Sequence, residues 1–143
     1  MAQVNVSKQI TAPQDAVWAV LSNPSRFPEW LTIHEKWKDE PPTELSQGAT
    51  FTQVVSVMGM ANTIAWTTDE YDAPNSLRIS GTGMAGAQIS FVLAVAADGP
   101  ASVATIDAEF TGQMVVGAIG AAIERSAAKE VEASLEKLAA LAG

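Results

Sequence analysis

A chain of 143 residues without cysteine and with a formal net charge of −8 is one domain by size, large enough for a core without staples, and has neither disulfides nor thiolate metal sites. Its eight Lys and Arg are scattered. That argues against nucleic acid, whose phosphates need a basic patch, and against anionic membrane surfaces. No apolar run reaches the 18 or so residues of a membrane span, and no charged start, apolar run and cleavage site opens the chain. The expected location is the cytoplasm, with the acidic residues solvated.

Gln3 to Ile10 alternates, Val4, Val6 and Ile10 on one face and Asn5, Ser7 and Gln9 on the other. This is the pattern of a half-buried strand. Lys8 falls on the apolar side and is expected near the rim, its stem buried and its amine in water. Thr11-Ala12-Pro13-Gln14 opens a helix, with proline in the first turn and capping-box spacing between Thr11 and Gln14. Val17, Trp18 and Leu21 form its buried face, and Asn23-Pro24 ends it. Ser25 to Leu31 predicts a second short helix with Phe27, Trp30 and Leu31 inward. Ile33 to Trp37 leads out, and Asp39 to Gln47 is a polar loop.

Strands joined by turns follow: Ala49–Met58, Ala61–Tyr71, Leu77–Ser80, Gln88–Val95 and Ser102–Phe110. Asp98-Gly99-Pro100 is the clearest turn. Ile106, Ala108 and Phe110 oppose Asp107 and Glu109, which are read as solvated. Trp66 shares parity with Ile64 and Asn62, so Asn62 offers an amide to the inward face.

Met114 to Leu141 predicts one long helix. Val116, Ile119, Ile123, Ala127, Val131, Leu135, Leu138 and Ala142 recur at steps of three and four. Glu124, Arg125, Lys129, Glu132, Glu136 and Lys137 hold the opposite face. Val115 to Ile123 is apolar almost all round and contains Gly117 and Gly120. Small residues there suit close packing on a sheet, or leave room for a ligand.

His34 is the only histidine and the natural acid–base group at neutral pH. A lone histidine is more often structural, and it cannot make a zinc site by itself. Gly81-Thr82-Gly83-Met84-Ala85-Gly86 spells G-x-G-x-x-G, but its glycines join two strands and no helix follows. The dinucleotide reading therefore fails. Four tryptophans, with methionines at 58, 60, 84 and 114, suit either an ordinary core or a cavity for a greasy ligand.

The order of elements, the run Ala12-Pro13-Gln14-Asp15-Ala16-Val17-Trp18 and the terminal amphipathic helix resemble the START-like, Bet v 1-like helix-grip (SRPBCC) superfamily, in its polyketide cyclase/dehydrase and lipid-transport group. Glu29-Trp30-Leu31-Thr32-Ile33-His34, Gly59-Met60-Ala61-Asn62 and Trp66-Thr67 resemble a small actinobacterial branch that includes a mycobacterial toxin of a type II toxin–antitoxin pair. The resemblance implies an α+β helix-grip fold: a curved antiparallel sheet of about seven strands wrapped around a long C-terminal helix, with two short helices after strand one.

It also implies a cavity between sheet and helix for a lipid or polyketide-like molecule. Phe27, Trp30 and His34 would line it from the second helix and the segment after it. Met58, Trp66, Met84 and Phe91 would line it from the strands and their links, and Met114, Ile119 and Ile123 from the long helix. Three functions compete: binding of a small hydrophobic ligand, a cyclase/dehydratase-like enzyme using His34 as acid–base and no cofactor, and a toxin neutralised by a partner. One fold hosts many activities, and the sequence leaves a homodimer or a protein partner open.

Overall fold

The fold is a computed structural model that describes residues 2–42, 44–57, 60–83, 86–112 and 117–142. Strand β1 (Ala2–Ile10) keeps the alternation of its sequence. Ala2, Val4 and Ile10 are buried, Val6 and Lys8 half-buried, and the residues between them exposed.

Helix α1 (Gln14–Leu21) buries Val17, Trp18, Val20 and Leu21. The capping box expected from Thr11 and Gln14 does not form, since Pro13 is the N-cap and no side chain caps it. Gln14 is drawn elsewhere. Its Nε2 donates to the backbone oxygens of Val95 and Pro74, at 2.8 and 3.1 Å, tying α1 to one strand and one turn of the sheet. A 3-10 turn, Pro24–Arg26, precedes α2 (Phe27–Trp30). Asn23 Oδ1 caps that turn by accepting the Ser25 N–H at 3.0 Å. Phe27, Trp30 and Leu31 all face inward.

Six more strands follow: β2 (His34–Trp37), β3 (Thr50–Val57), β4 (Met60–Asp72), β5 (Ser76–Thr82), β6 (Gln88–Asp98) and β7 (Ala101–Thr111). The sheet is wholly antiparallel, in the order β1-β7-β6-β5-β4-β3-β2. It curls as a half-barrel about α3 (Gly117–Ala142). The lead-out segment of the sequence reading is thus an edge strand.

Strand β2 carries a bulge. His34 pairs with Val55, but Lys36 pairs with Val54 and Trp37 with Gln53. Two residues of β2 therefore oppose one of β3, which re-aims the strand. His34 and Trp37, three apart and of opposite parity, both end on the inner face.

On α3 the buried residues are Gly120, Ala127, Val131, Ser134, Leu135 and Leu138, and the six charged residues assigned to the outer face are exposed. Ile119 departs from the sequence reading. It is 52 % exposed, and Gly117, Ala118 and Ala121 beside it are exposed too. A helical period fixes which face is apolar but not where the core ends.

Candidate hydrophobic ligand site

The inner face of the sheet carries aromatic rings from α2 to β7. Phe27 meets Trp30 edge-on at 5.6 Å and stacks on Trp37 at 6.0 Å. Trp66 lies 5.3 Å from Phe91, which meets Phe110 edge-on at 6.4 Å. Such pairs add about 0.5–1.5 kcal/mol each beyond the area they bury.

Two voids lie where this face meets α3. One, of ≈ 20 Å³, is lined by Phe27, Trp30, Leu31, Ile33, Gln53, Ile79, Phe91, Leu93, Ile106, Glu130, Val131 and Ser134. The other, also ≈ 20 Å³, is lined by Ile33, Phe91, Phe110, Ser126, Ala127, Glu130 and Val131. Four residues belong to both, so the voids form one seam, and each is about the size of a single water. A roomier hollow of ≈ 490 Å³ opens on the outer face of the sheet, among Arg78, Ser80, Gln88, Ser90 and Glu109.

Of the residues expected at a ligand, Phe27, Trp30 and Phe91 line the seam. Trp66 is buried behind Phe91, and Ile123 packs half-buried against the core outside both voids. Ile119 faces solvent. Met58, Met84 and Met114 lie outside the described residues.

Sequence reasoning missed the polar groups. Gln53, 1 % exposed, is one. Its signal was parity, since it falls between inward Phe51 and Val55 on β3. Glu130 and Ser134 are the others, polar residues three and seven positions after the buried Ala127 on the apolar side of α3. Ser134 Oγ accepts the Thr32 N–H at 3.0 Å and donates to Glu130 O at 2.8 Å. Thr32 Oγ1 donates to the Glu130 carboxylate. These bonds clasp the α2–β2 loop to the middle of α3.

A second polar chain runs outward from the core. Trp66 Nε1 donates to Gln53 Oε1 at 2.9 Å, and Gln53 Nε2 lies 2.7 Å from His34 Nδ1. An indole nitrogen only donates. Gln53 therefore presents its oxygen to Trp66 and its amide N–H to His34, so His34 Nδ1 accepts. The ring is then neutral, with its proton on Nε2. Burial pushes the His34 pKa below its ordinary 6.5, which favours the same neutral form. His34 is half-exposed at the sheet edge, 5.0 Å from Trp37.

Three buried polar atoms have no partner among the described residues: Trp30 Nε1, Trp37 Nε1 and Thr68 Oγ1. Each costs about 1–3 kcal/mol in desolvation, and two of them belong to tryptophans whose rings pack on Phe27. Among the described residues no cluster of three His, Asp or Glu could hold a metal ion.

Two glycines of the G-x-G-x-x-G run serve the geometry of the sheet. Gly81 lies within β5, where a Cβ would meet Ile64 Cγ2 at 2.6 Å and Ala65 O at 2.7 Å. The N–H of Gly83 bonds Ala87 O at 2.7 Å.

Comparison with known proteins agrees with this architecture. A START superfamily protein from Mycobacterium smegmatis superimposes with a TM-score of 0.77 at 13% identity, over 99% of this chain and 97% of that one. The Mycobacterium tuberculosis H37Rv protein Rv1546 is 33% identical over 144 residues, spanning both chains completely. Toxin Rv0910 of the same strain is 30% identical over 136 residues, covering 95% of this chain and 94% of that one. The family model described as polyketide cyclase / dehydrase and lipid transport matches residues 1–143, and the chain belongs to that family.

Proposed function

We propose that the protein binds a small hydrophobic molecule, lipid or polyketide-like, in the seam between the sheet and α3. The observation that carries this reading is the pair of adjoining voids on a seam walled by aromatic and aliphatic side chains. The unpartnered N–H of Trp30, a lining residue, supports it. Phe27, Trp30 and Phe91 would contact the ligand directly, with Trp66 behind them, His34 at the edge and Ile123 beyond.

Ligand pockets usually enclose about 300–1,000 Å³, so a ligand of that size must part α3 from the sheet. The clasp of Thr32, Ser134 and Glu130 is the polar contact that such parting would break. Thermal unfolding in the presence of fatty acids, sterols and aromatic ketones tests the reading. A ligand at 100 times its Kd stabilises the folded state by about 2.7 kcal/mol. No rise in Tm with any class would sink the proposal.

A second reading, a cyclase/dehydratase-like enzyme, draws on the neutral imidazole of His34 at the end of a buried chain. Undiminished turnover in His34→Ala would exclude that assignment. The toxin role rests on the resemblance of the sequence and on the name of Toxin Rv0910, a relative at 30% identity. Overexpression that leaves growth unchanged would count against it.

A further inference from the structure

The seam has a hydrogen-bonding polarity, and one residue sets it. Trp66 fixes which end of the Gln53 amide faces outward, because its ring nitrogen can only donate. Gln53 in turn leaves His34 Nδ1 only the role of acceptor. The remaining ring nitrogen, Nε2, carries the proton and has no acceptor among the described residues. The β2 bulge brings this ring to the inner face, where it lines neither void itself but adjoins Gln53, which lines one of them.

We infer that Gln53 is the positioning residue that makes His34 a hydrogen-bond donor, through Nε2–H, to an uncharged oxygen of the bound molecule. This deepens the binding reading above and rests on it. An acceptor is required because the imidazole edge offers only a donor. An uncharged one is favoured because Glu130 places a carboxylate on the same seam, where like charge and desolvation would oppose a second. A ketone, ester or amide carbonyl on an apolar body meets both conditions, and a free fatty acid does not.

The lone histidine makes the wiring directly readable. One-bond and long-range 1H–15N NMR on protein without a histidine tag, at pH 8, reports a single imidazole. The expected wild-type result is a protonated Nε2 and a bare Nδ1. In Gln53→Glu the carboxylate accepts from both neighbours, so the proton should move to Nδ1. In Trp66→Phe, which frees the amide to turn while keeping an aromatic ring, the two tautomers should mix. A wild-type proton on Nδ1, or a Gln53→Glu protein that keeps the wild-type tautomer, overturns the assignment.

The ligand half is tested with fluorene and fluorenone, which share a skeleton and differ by one carbonyl. Fluorenone should bind wild-type protein about two- to tenfold more tightly, the worth of one neutral hydrogen bond. That preference should vanish in Gln53→Glu. Equal binding of the two by the wild type overturns the donor role of His34. Failure of both to bind counts against the seam as the binding site, and is told apart from failure of the wiring because the tautomer is read without ligand.

Discussion

Ser134 Oγ, at the centre of α3, accepts the backbone N–H of Thr32 at 3.0 Å across 102 positions of sequence. Ser134 is 1 % exposed, so that N–H has little water to turn to. Ser134→Ala should lower the free energy of unfolding by about 1–3 kcal/mol, the cost of a buried donor left unmade. Urea unfolding measures the loss, and faster hydrogen exchange at the Thr32 amide would localise it. Unchanged stability with unchanged exchange would show that the clasp does not hold the loop to the helix.

Two glycines of one motif should behave differently. A Cβ on Gly81 meets the Ala65 carbonyl at 2.7 Å, and a strand backbone cannot step aside cheaply. Gly81→Ala should destabilise by about 1–3 kcal/mol or more, as overpacking does. At Gly83 the nearest atom to a Cβ is 3.7 Å away, an ordinary contact. Gly83→Ala should stay within about 0.5 kcal/mol of wild type. Equal losses at both positions would contradict the packing at Gly81.

Ile119 and Leu135 look alike in sequence, since both sit on the apolar stripe of the long helix. They differ in burial, 52 % exposed against 1 %. Ile119→Ser should change stability by no more than about 0.5 kcal/mol. Leu135→Ala should cost about 2–5 kcal/mol, through lost burial and the cavity left behind. Chemical denaturation of the two variants decides it, and a large loss at Ile119 would mean that the first turn of α3 is buried after all.

That pair shows what the sequence could and could not specify. The strands were legible because apolar parity holds along β1, β6 and β7, and the helix was legible from Ala127 to Leu138 for the corresponding reason. Parity misleads at a bulge. His34 and Trp37 would lie on opposite faces of an unbroken strand, yet the extra residue in β2 brings both inside. Gln53 and Ser134 broke an apolar pattern, and such breaks mark polar groups with buried partners. Which partners they find is decided by chain segments 13 to 102 positions away, beyond the reach of local pattern. The size of the seam was equally out of reach, because it depends on how closely α3 approaches the sheet.

The pH dependence of stability should carry the mark of His34. Burial lowers its folded-state pKa below 6.5, and protonating Nδ1 would also forfeit the bond from Gln53. The unfolded chain therefore binds a proton more readily than the folded one, and stability rises with pH wherever the two differ. The contribution is fully present above the unfolded value of about 6.5. It is lost as pH falls from there through the folded-state pKa. A single wild-type curve sums every group in the chain, so the informative quantity is a difference. Thermal unfolding of wild type and His34→Gln, compared between pH 8 and pH 5, should show the wild type losing more of its Tm on acidification. Parallel curves would mean that the imidazole is as free to take a proton in the folded protein as in the unfolded chain.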